Sequence, residues 1–473
     1  MTLIPFPILL SGLLLLLSLL AYLFRRLERA TSAAAAVILG ALAYWLTRDI
    51  PANGLAHLLG NAFVVDMQAK VTRFDLVFTL TPNAAPLLAL ILFLTAAALL
   101  LNTVTGQDRI FPSLALGIAG GYSILLLLTD APLSPVLLTP GILALLTALG
   151  VYAFQSNQLG HTYGSLRSLL PPLLAFPFFI LASWHIDSLA INPQDSVAGT
   201  AAAQLLALGL LLLLAPVPFH SAGPAIAESA PPIAVALLSQ LYQLAVLTLL
   251  YRIDTLFPFV AELSEQNLWL TAAGLITALW GGMAAIGSSH PGRLWGYAML
   301  HDWGLILLML AAPGEISWAL VLFLFGLRLI SIVAGAAGLA YLRMAAGTLS
   351  PSRLRGAGRV APWSASAAIL GGLGLAGFPL SAGFTGHWAA LQTVAETDWR
   401  VAAAVLLASG GVVVGYIRLI RILYDPQQVP RIAPESLVHG LIVIVAILVV
   451  SAAAVAPQLL NSPINWVLMA FHG

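Results

Sequence analysis

Four ionisable side chains lie inside apolar stretches of this sequence. His301 and Asp302 are about 13 Å along a helix from Arg293, at 1.5 Å per residue. Arg328 is near the middle of the next apolar stretch, and His387 lies beside a glycine-rich interruption. Because charges inside apolar helices usually pair, Arg328 is the expected counter-ion of Asp302. The set fits a proton-transfer site or, alternatively, a static buried ion pair.

His387 is the side chain in this set best suited to a proton relay. The unperturbed pKa of histidine is about 6.5, so the ring changes charge close to neutral pH. The alternative is a structural histidine that is hydrogen-bonded beside Thr385 and Trp388, because buried histidines often serve only as satisfied hydrogen-bonding groups.

Two further titratable residues lie near a second interruption, which runs from Pro216 to Gly223. His220 is within it, and we expect either a role in proton transfer or a purely architectural role in the break. Glu228 follows in the connection to the next apolar stretch. There it is either a solvated carboxylate or a proton gate.

The composition is that of a membrane protein. Hydrophobic residues make up 60% of the 473 positions and charged residues 8%, whereas an ordinary globular chain is about 25% charged. The net charge of +1 is too small for nucleic-acid binding, and the absence of cysteine excludes disulfides and cysteine-held iron–sulfur clusters. The sequence also lacks a nucleotide-binding loop, a metal-ligand cluster and a nucleophile triad. Electron transfer would therefore take place in a partner.

Apolar runs predict an all-α polytopic membrane protein of about fourteen transmembrane helices. We expect a single integral-membrane domain over residues 1–473. Its predicted parts are helices 1 to 3 in 1–103, a first repeat in 109–253, a second repeat in 268–424, and a last helix and tail in 425–473.

Proline and glycine interrupt two of these helices in a similar way. Pro216 and Pro218 break predicted helix 7, and Pro379 and Gly383 break predicted helix 12. Irregular backbone at membrane depth is tolerated only inside protein or beside a water-filled cavity. Paired breaks indicate two inverted repeats of about five helices each, with a site at each break. The alternative is a pair of ordinary proline kinks.

The distribution of arginine predicts the orientation in the membrane. Loops after odd-numbered helices carry most of the arginines, for example Arg25, Arg26 and Arg29 after the first helix. Short cytoplasmic loops retain positive charge, so both termini should lie on the outer side of a bacterial inner membrane.

Three ordered motifs resemble one family of membrane proteins. They are Leu214–His220 with the Ala-Pro-rich stretch Glu228–Pro232, then Arg293–Tyr297, then Leu375–Pro379 with Gly383–His387. Together they resemble the antiporter-like, proton-channel subunits of respiratory complex I, most closely the subunit N type. Subunits M and L and Mrp antiporter subunits are related to it.

The resemblance implies a non-catalytic membrane-arm subunit of a complex I-like NAD(P)H/quinone oxidoreductase that contributes to proton translocation. Flavin, iron–sulfur clusters and quinone would then belong to partner subunits, with no cofactor or metal in this chain. Its partners would be other membrane-arm subunits, the lipid bilayer and protons. The alternatives are a subunit of a Mrp-type cation/proton antiporter, of a bicarbonate-transport complex or of a membrane-bound hydrogenase, and a non-conducting structural paralogue.

The sequence departs from the family where the resemblance implies titratable residues. Counting from neighbouring motif residues, the family's helix 5 glutamate falls near Leu145, its helix 7 lysine at Leu213 and its helix 8 lysine at Gln243. None of these three can titrate, which implies a degenerate first half-channel. His387 occupies the helix 12 lysine position, and Asp302 falls where the motif has a histidine.

Overall fold

Helices make up most of the chain. The computed structural model describes residues 2–48, 54–58, 63–74, 76–106, 109–129, 134–154, 162–257, 264–312, 317–426 and 432–471. The helices of the first half are α1 (Phe6–Leu23), α2 (Glu28–Leu46), α3 (Ala84–Thr105), α4 (Phe111–Leu127), α5 (Ser134–Phe154), α6 (Thr162–Arg167), α7 (Leu170–Ile191), α8 (Ser196–Leu214), α9 (Ala222–Ser229) and α10 (Pro232–Leu256). Those of the second half are α11 (Ser264–Gly287), α12 (Pro291–Leu310), α13 (Trp318–Ala346), α14 (Pro351–Leu354), α15 (Pro362–Leu375), α16 (Phe384–Leu423), α17 (Leu437–Val455) and α18 (Asn461–Leu468).

The protein is a multi-span membrane protein. Among the described residues, ten helical stretches are long and apolar enough to cross a membrane, and α4 and most of α5 form two shorter apolar helices. Helix α16 contains a kink at Asp398, whose φ of −151° and ψ of 104° are not helical. The kink lies between predicted helix 12, which contains Pro379 and Gly383, and the next predicted helix. The count of about fourteen spans and the inverted repeats remain predictions.

The all-α expectation is wrong in one respect, because short strands lie between the helices. They are β1 (Thr2–Pro5), β2 (Leu55–Leu58), β3 (Phe63–Asp66), β4 (Val71–Arg73), β5 (Leu76–Phe78) and β6 (Leu128–Thr129). One sheet has the order β1-β3-β2 and the other β4-β5-β6. The connection between α2 and α3 is rich in β-branched and aromatic residues, which favour extended backbone. Strands this short leave no period that apolar-run analysis can detect.

Helix α8 ends at the interruption predicted for helix 7. Ala215 takes a left-handed conformation with φ of 47°, and a 3₁₀ turn precedes α9. The freed backbone groups bind side chains of other helices: Trp303 Nε1 donates to the Leu214 carbonyl at 2.9 Å, and Tyr242 Oη donates to the Leu213 carbonyl at 3.0 Å. Because these polar groups are paired inside the protein, the break is compatible with its buried position.

A second interruption separates α15 from α16. Gly377 has φ of 62°, and its neighbour Phe378 donates its N–H to the Leu373 carbonyl at 3.1 Å, which closes the end of α15. The hydroxyl of Ser381 donates to the Phe378 carbonyl at 2.6 Å. This is the break predicted for helix 12, and it is short enough to bring His387 back into the protein interior within the first turn of α16.

Glycines set the distance between α13 and α15. A Cβ on Gly371 would lie 2.5 Å from the Ser331 carbonyl oxygen and 2.4 Å from the Gly335 nitrogen. Only glycine fits so close to the backbone of the neighbouring helix. This approach holds α15, and the break that follows it, against the helix that carries Arg328.

We expect Gly371→Ala to lower the thermal unfolding midpoint of the detergent-solubilised protein. Overpacking of this kind costs about 1–3 kcal/mol, more than the helix propensity that alanine adds. Gly410→Ala is the matched control, since a Cβ there meets nothing within 4 Å, and it should not lower the midpoint. Equal midpoints for the two variants would contradict the close-packing argument.

Candidate functional site

The Asp302 carboxylate is the centre of a buried charge cluster. It lies on α12 with its side chain only 5% exposed. Arg328 Nη1 on α13 donates to Asp302 Oδ2 at 2.5 Å, and His387 Nε2 on α16 is 2.8 Å from Asp302 Oδ1. The counter-ion predicted from the sequence is confirmed. Each carboxylate oxygen has a partner, as a buried ion pair requires.

Arg328 connects this carboxylate to the first half of the protein. Its Nη1 also donates to the Met299 carbonyl at 2.8 Å, and its Nε donates to Gln243 Oε1 on α10 at 3.2 Å. The guanidinium carbon lies 5.6 Å from the centre of the Trp303 ring. The charge is thus shared among α10, α12 and α13, which compensates for its removal from water.

His387 has one nitrogen in use and one available. Nε2 faces Asp302, whereas Nδ1 is buried and has no hydrogen-bond partner in the described part of the chain. A Cβ on Gly377 would lie 2.5 Å from Nδ1, so the glycine of the helix break provides the space for the ring. Thr385 Oγ1, two residues away, also lacks a hydrogen-bond partner in the described part of the chain.

His301 lies beside this cluster without joining the ion pair. Its Nδ1 is 2.9 Å from the Ala278 carbonyl, and its Nε2 is 2.9 Å from Ser409 Oγ. Because the Ala278 carbonyl can only accept, Nδ1 carries the proton and the Ser409 hydroxyl donates to Nε2 in the neutral tautomer. The centres of the His301 and His387 rings are 6.1 Å apart.

A cavity of about 180 Å³ adjoins the cluster on the side of the first half. Leu213, Tyr242, Gln243 and Arg328 are among the residues that line it. Two of the three positions identified as departures from the family, Leu213 and Gln243, therefore face the cavity.

The third departure, Leu145, does not face this cavity. Its side chain is 62% exposed on the outer surface. Its neighbours Leu146 and Thr147 line the cavity instead. Helix periodicity explains this difference, because adjacent residues on a helix point about 100° apart. A residue count from a motif, made without coordinates, therefore does not determine which residue faces the cavity.

Two of the predicted site residues lie away from the charge cluster. His220 lines the cavity; its ring centre is 6.0 Å from that of Trp280, and its Nδ1 has no partner among the described residues. Glu228 pairs with Arg293 at 2.7 Å, and both side chains are partly exposed, at 32% and 48%. Of the alternatives for Glu228, the structure fits the surface carboxylate.

Sequence reasoning missed several groups that complete the site. Ser409 and the Met299 carbonyl each contact a predicted residue. The small residue Ser409 carries no charge signal, and a backbone carbonyl carries no sequence signal at all. Within the described residues, no group of three or more histidine, cysteine, aspartate or glutamate side chains is arranged to hold a metal ion.

The arrangement can hold one exchangeable proton next to a fixed ion pair. When His387 Nε2 donates to Asp302, Nδ1 is the free acceptor of the neutral ring. A proton taken up at Nδ1 makes an imidazolium that Asp302 stabilises directly. Arg328 provides the permanent countercharge that keeps Asp302 ionised in either state.

Fold and site together define a multi-span membrane protein with a buried ionisable cluster at a helix break. The sequence profile of the family described as NADH:quinone oxidoreductase/Mrp antiporter, transmembrane, matches residues 131–413. The chain belongs to this family.

Individual relatives agree with this assignment. The chain is 22% identical to NADH-quinone oxidoreductase subunit N of Flavobacterium psychrophilum, over 67% of this chain and 71% of that protein. Its fold is similar to a chain of an archaeal membrane-bound sulfane sulfur reductase, with a TM-score of 0.76, 18% identity and coverage of 98% and 96% of the two chains. It is also similar to a chain of the Mrp complex of Dietzia sp., with a TM-score of 0.73, 17% identity and coverage of 98% and 95%. At these identities the structural matches establish the fold alone.

We expect Asp302→Ala to destabilise the folded protein more than Asp302→Ala combined with Arg328→Leu. Removing one partner of a buried pair costs about 3–5 kcal/mol because the other charge stays uncompensated. Thermal unfolding of the four proteins of this double-mutant cycle in detergent measures the coupling. Glu228→Ala, which breaks a partly exposed pair, is the control and should cost at most about 1 kcal/mol. Strictly additive losses in the cycle would rule out the coupled ion pair.

Proposed function

We propose that this protein is a membrane-arm subunit of a complex I-like NAD(P)H/quinone oxidoreductase in a bacterial inner membrane, with both termini on the outer side. It contributes to redox-coupled proton translocation through its second half, and its first half-channel is degenerate. Its partners are other membrane-arm subunits, and the flavin, iron–sulfur clusters and quinone belong to partner subunits of the assembly.

The single observation that supports this proposal is the free Nδ1 of His387 above the Asp302–Arg328 pair. Ionisable groups are expensive in a membrane interior and mark ion or proton pathways. A purely structural pair needs only its counter-ion, whereas this one also contacts a histidine whose second ring nitrogen is buried and has no hydrogen-bond partner among the described residues. In the first half, by contrast, the cavity is lined by Leu213 and Gln243, at positions where the family resemblance implies lysines.

A Mrp-type cation/proton antiporter subunit is the second candidate. The fold similarity to the Dietzia Mrp chain, which covers almost all of both chains, favours it. Mass spectrometry of the assembly purified from native membranes in mild detergent separates the two candidates. Quinone-reductase subunits support the first, and antiporter subunits, with sodium-dependent proton release from vesicles, support the second.

We expect His387→Gln to reduce proton translocation by the intact assembly at least about tenfold, because a positioned proton-transfer group contributes two to four orders of magnitude to a rate. Glutamine keeps a side-chain N–H for Asp302 but cannot titrate. The measurement is quenching of a pH-sensitive dye in inverted membrane vesicles, with the driving electron transfer recorded in parallel.

The matched control is His185→Gln. His185 lies on α7, and its ring centre is 5.2 Å from that of Trp184. Its ring contact is with this tryptophan and not with the charge cluster. Normal pumping by both variants, with normal assembly, would exclude a conducting role for His387 and leave the non-conducting paralogue as the function. Loss of assembly in His387→Gln alone would instead assign the histidine to architecture.

A further inference from the structure

A second cavity, which we call the apolar crevice, lies between α3, α13, α17 and α18. Its volume is about 410 Å³, and every described residue that lines it is apolar. Several of its wall residues are exposed on the outer surface: Phe93 is 61% exposed, Val445 59% and Val449 47%. The crevice therefore opens laterally, toward the hydrocarbon core of a membrane, and excludes polar ligands.

The length of the apolar crevice matches one leaflet of a bilayer. On α3 its wall runs from Leu90 to Leu101, which is about 16 Å at 1.5 Å per residue. Half of a hydrocarbon core of about 30 Å is about 15 Å. Leu460, just before α18, and Ile464, within α18, line the crevice where the chain turns back after α17. The space thus has the length of a single acyl chain.

Polar groups lie beyond one end of the crevice. Past Leu101, α3 ends at Thr105, and a Cβ added at the following Gly106 would lie 3.1 Å from Glu28 Oε1 and 3.8 Å from Arg29 Nη2. Less than one turn before Ile442, His439 is buried on α17 with Nδ1 3.1 Å from Ser436 Oγ. Its Nε2 has no hydrogen-bond partner among the described residues. Arg29 is close enough to His439 for an electrostatic interaction.

The charges around this end favour an anion. Residues 25–29 contain three arginines and one acid, Glu28. Glu435, four residues before His439, is a further acid among the described residues, and its carboxylate faces the start of α15, where it accepts the N–H groups of Trp363 at 3.2 Å and Ser364 at 3.1 Å. The arginine distribution also predicts that this end faces the cytoplasm, where the leaflet carries anionic lipids.

We propose that the apolar crevice holds an acyl chain of an anionic glycerophospholipid whose phosphate binds Arg29 and His439. The apolar walls take the chain and the basic end takes the headgroup. Sideways opening lets the lipid exchange with the bilayer, so no partner protein is needed to fill the space.

The binding test uses the full chain in its native assembly, purified in mild detergent and analysed by native mass spectrometry. We expect one retained phosphatidylglycerol per chain and weaker retention of phosphatidylcholine. Arg29→Gln should weaken phosphatidylglycerol binding about fivefold, the usual effect of one basic group at an anionic lipid surface. His439→Leu, which removes the ring nitrogen that faces no other described partner, should weaken it as well. Arg353→Gln removes an exposed arginine after α13, on the same predicted side, and should change nothing. Equal retention of the two lipids, or displacement by inorganic phosphate alone, would overturn the headgroup assignment.

The apolar part has its own test. Ala97→Trp fills the crevice wall and should abolish retention of the lipid, whereas Ala452→Trp on the outer face of α17 should not. A photo-crosslinking residue at Val445 in intact membranes should yield a lipid adduct. An adduct with a partner subunit would overturn the proposal, because the crevice would then be a protein interface. Unchanged retention in Ala97→Trp would overturn it as well, provided that the thermal unfolding midpoint shows a folded variant.

Discussion

The carboxylate of Asp302 is the constraint on which the interior of this protein depends. An ionised carboxylate surrounded by apolar helices is unstable unless its oxygens are paired, and here Arg328 and His387 take one oxygen each. This requirement fixes the relative positions of α12, α13 and α16. A shift of any of the three by a fraction of a helical turn would leave a charge without its partner. The cluster thereby specifies helix register, in addition to any transport role.

The helix breaks make this geometry possible. Gly377 lets the backbone turn with a positive φ and leaves room for the His387 ring, which a side chain at that position would occupy. At the other break, Tyr242 and Trp303 pair with the carbonyls at the end of α8. The freed backbone groups are thus paired by neighbouring helices at this break, and at the Gly377 break by groups of the break itself, where Ser381 donates to the Phe378 carbonyl. The glycine contact between α13 and α15 holds the second break against Arg328.

The charge pairing could be predicted from sequence, because charged residues in apolar runs are rare and must find each other. The breaks could be predicted for a similar reason, since proline and glycine clusters are visible without coordinates. The direction in which Leu145 points could not be predicted. A residue count from a motif is uncertain by one residue, and one residue corresponds to a rotation of about 100° around a helix. The strands near residues 55–78 could not be predicted, since each strand is only three or four residues long and too short to show an alternating pattern. Ser409 and the Met299 carbonyl became recognisable only through their contacts.

The cluster also changes how the two halves of the protein relate electrostatically. Arg328 extends from α13 to Gln243 at the wall of the first-half cavity, and the same guanidinium binds Asp302. Arg328 is therefore the cation beside that cavity, although it lies on α13 and other helices form most of the cavity wall. His387 contacts the other oxygen of the Asp302 carboxylate, so the guanidinium links the cavity wall to the whole cluster. Charges in a low-dielectric interior interact with little screening. Gln243 at the cavity wall and the Asp302–His387 pair are therefore linked through one shared arginine.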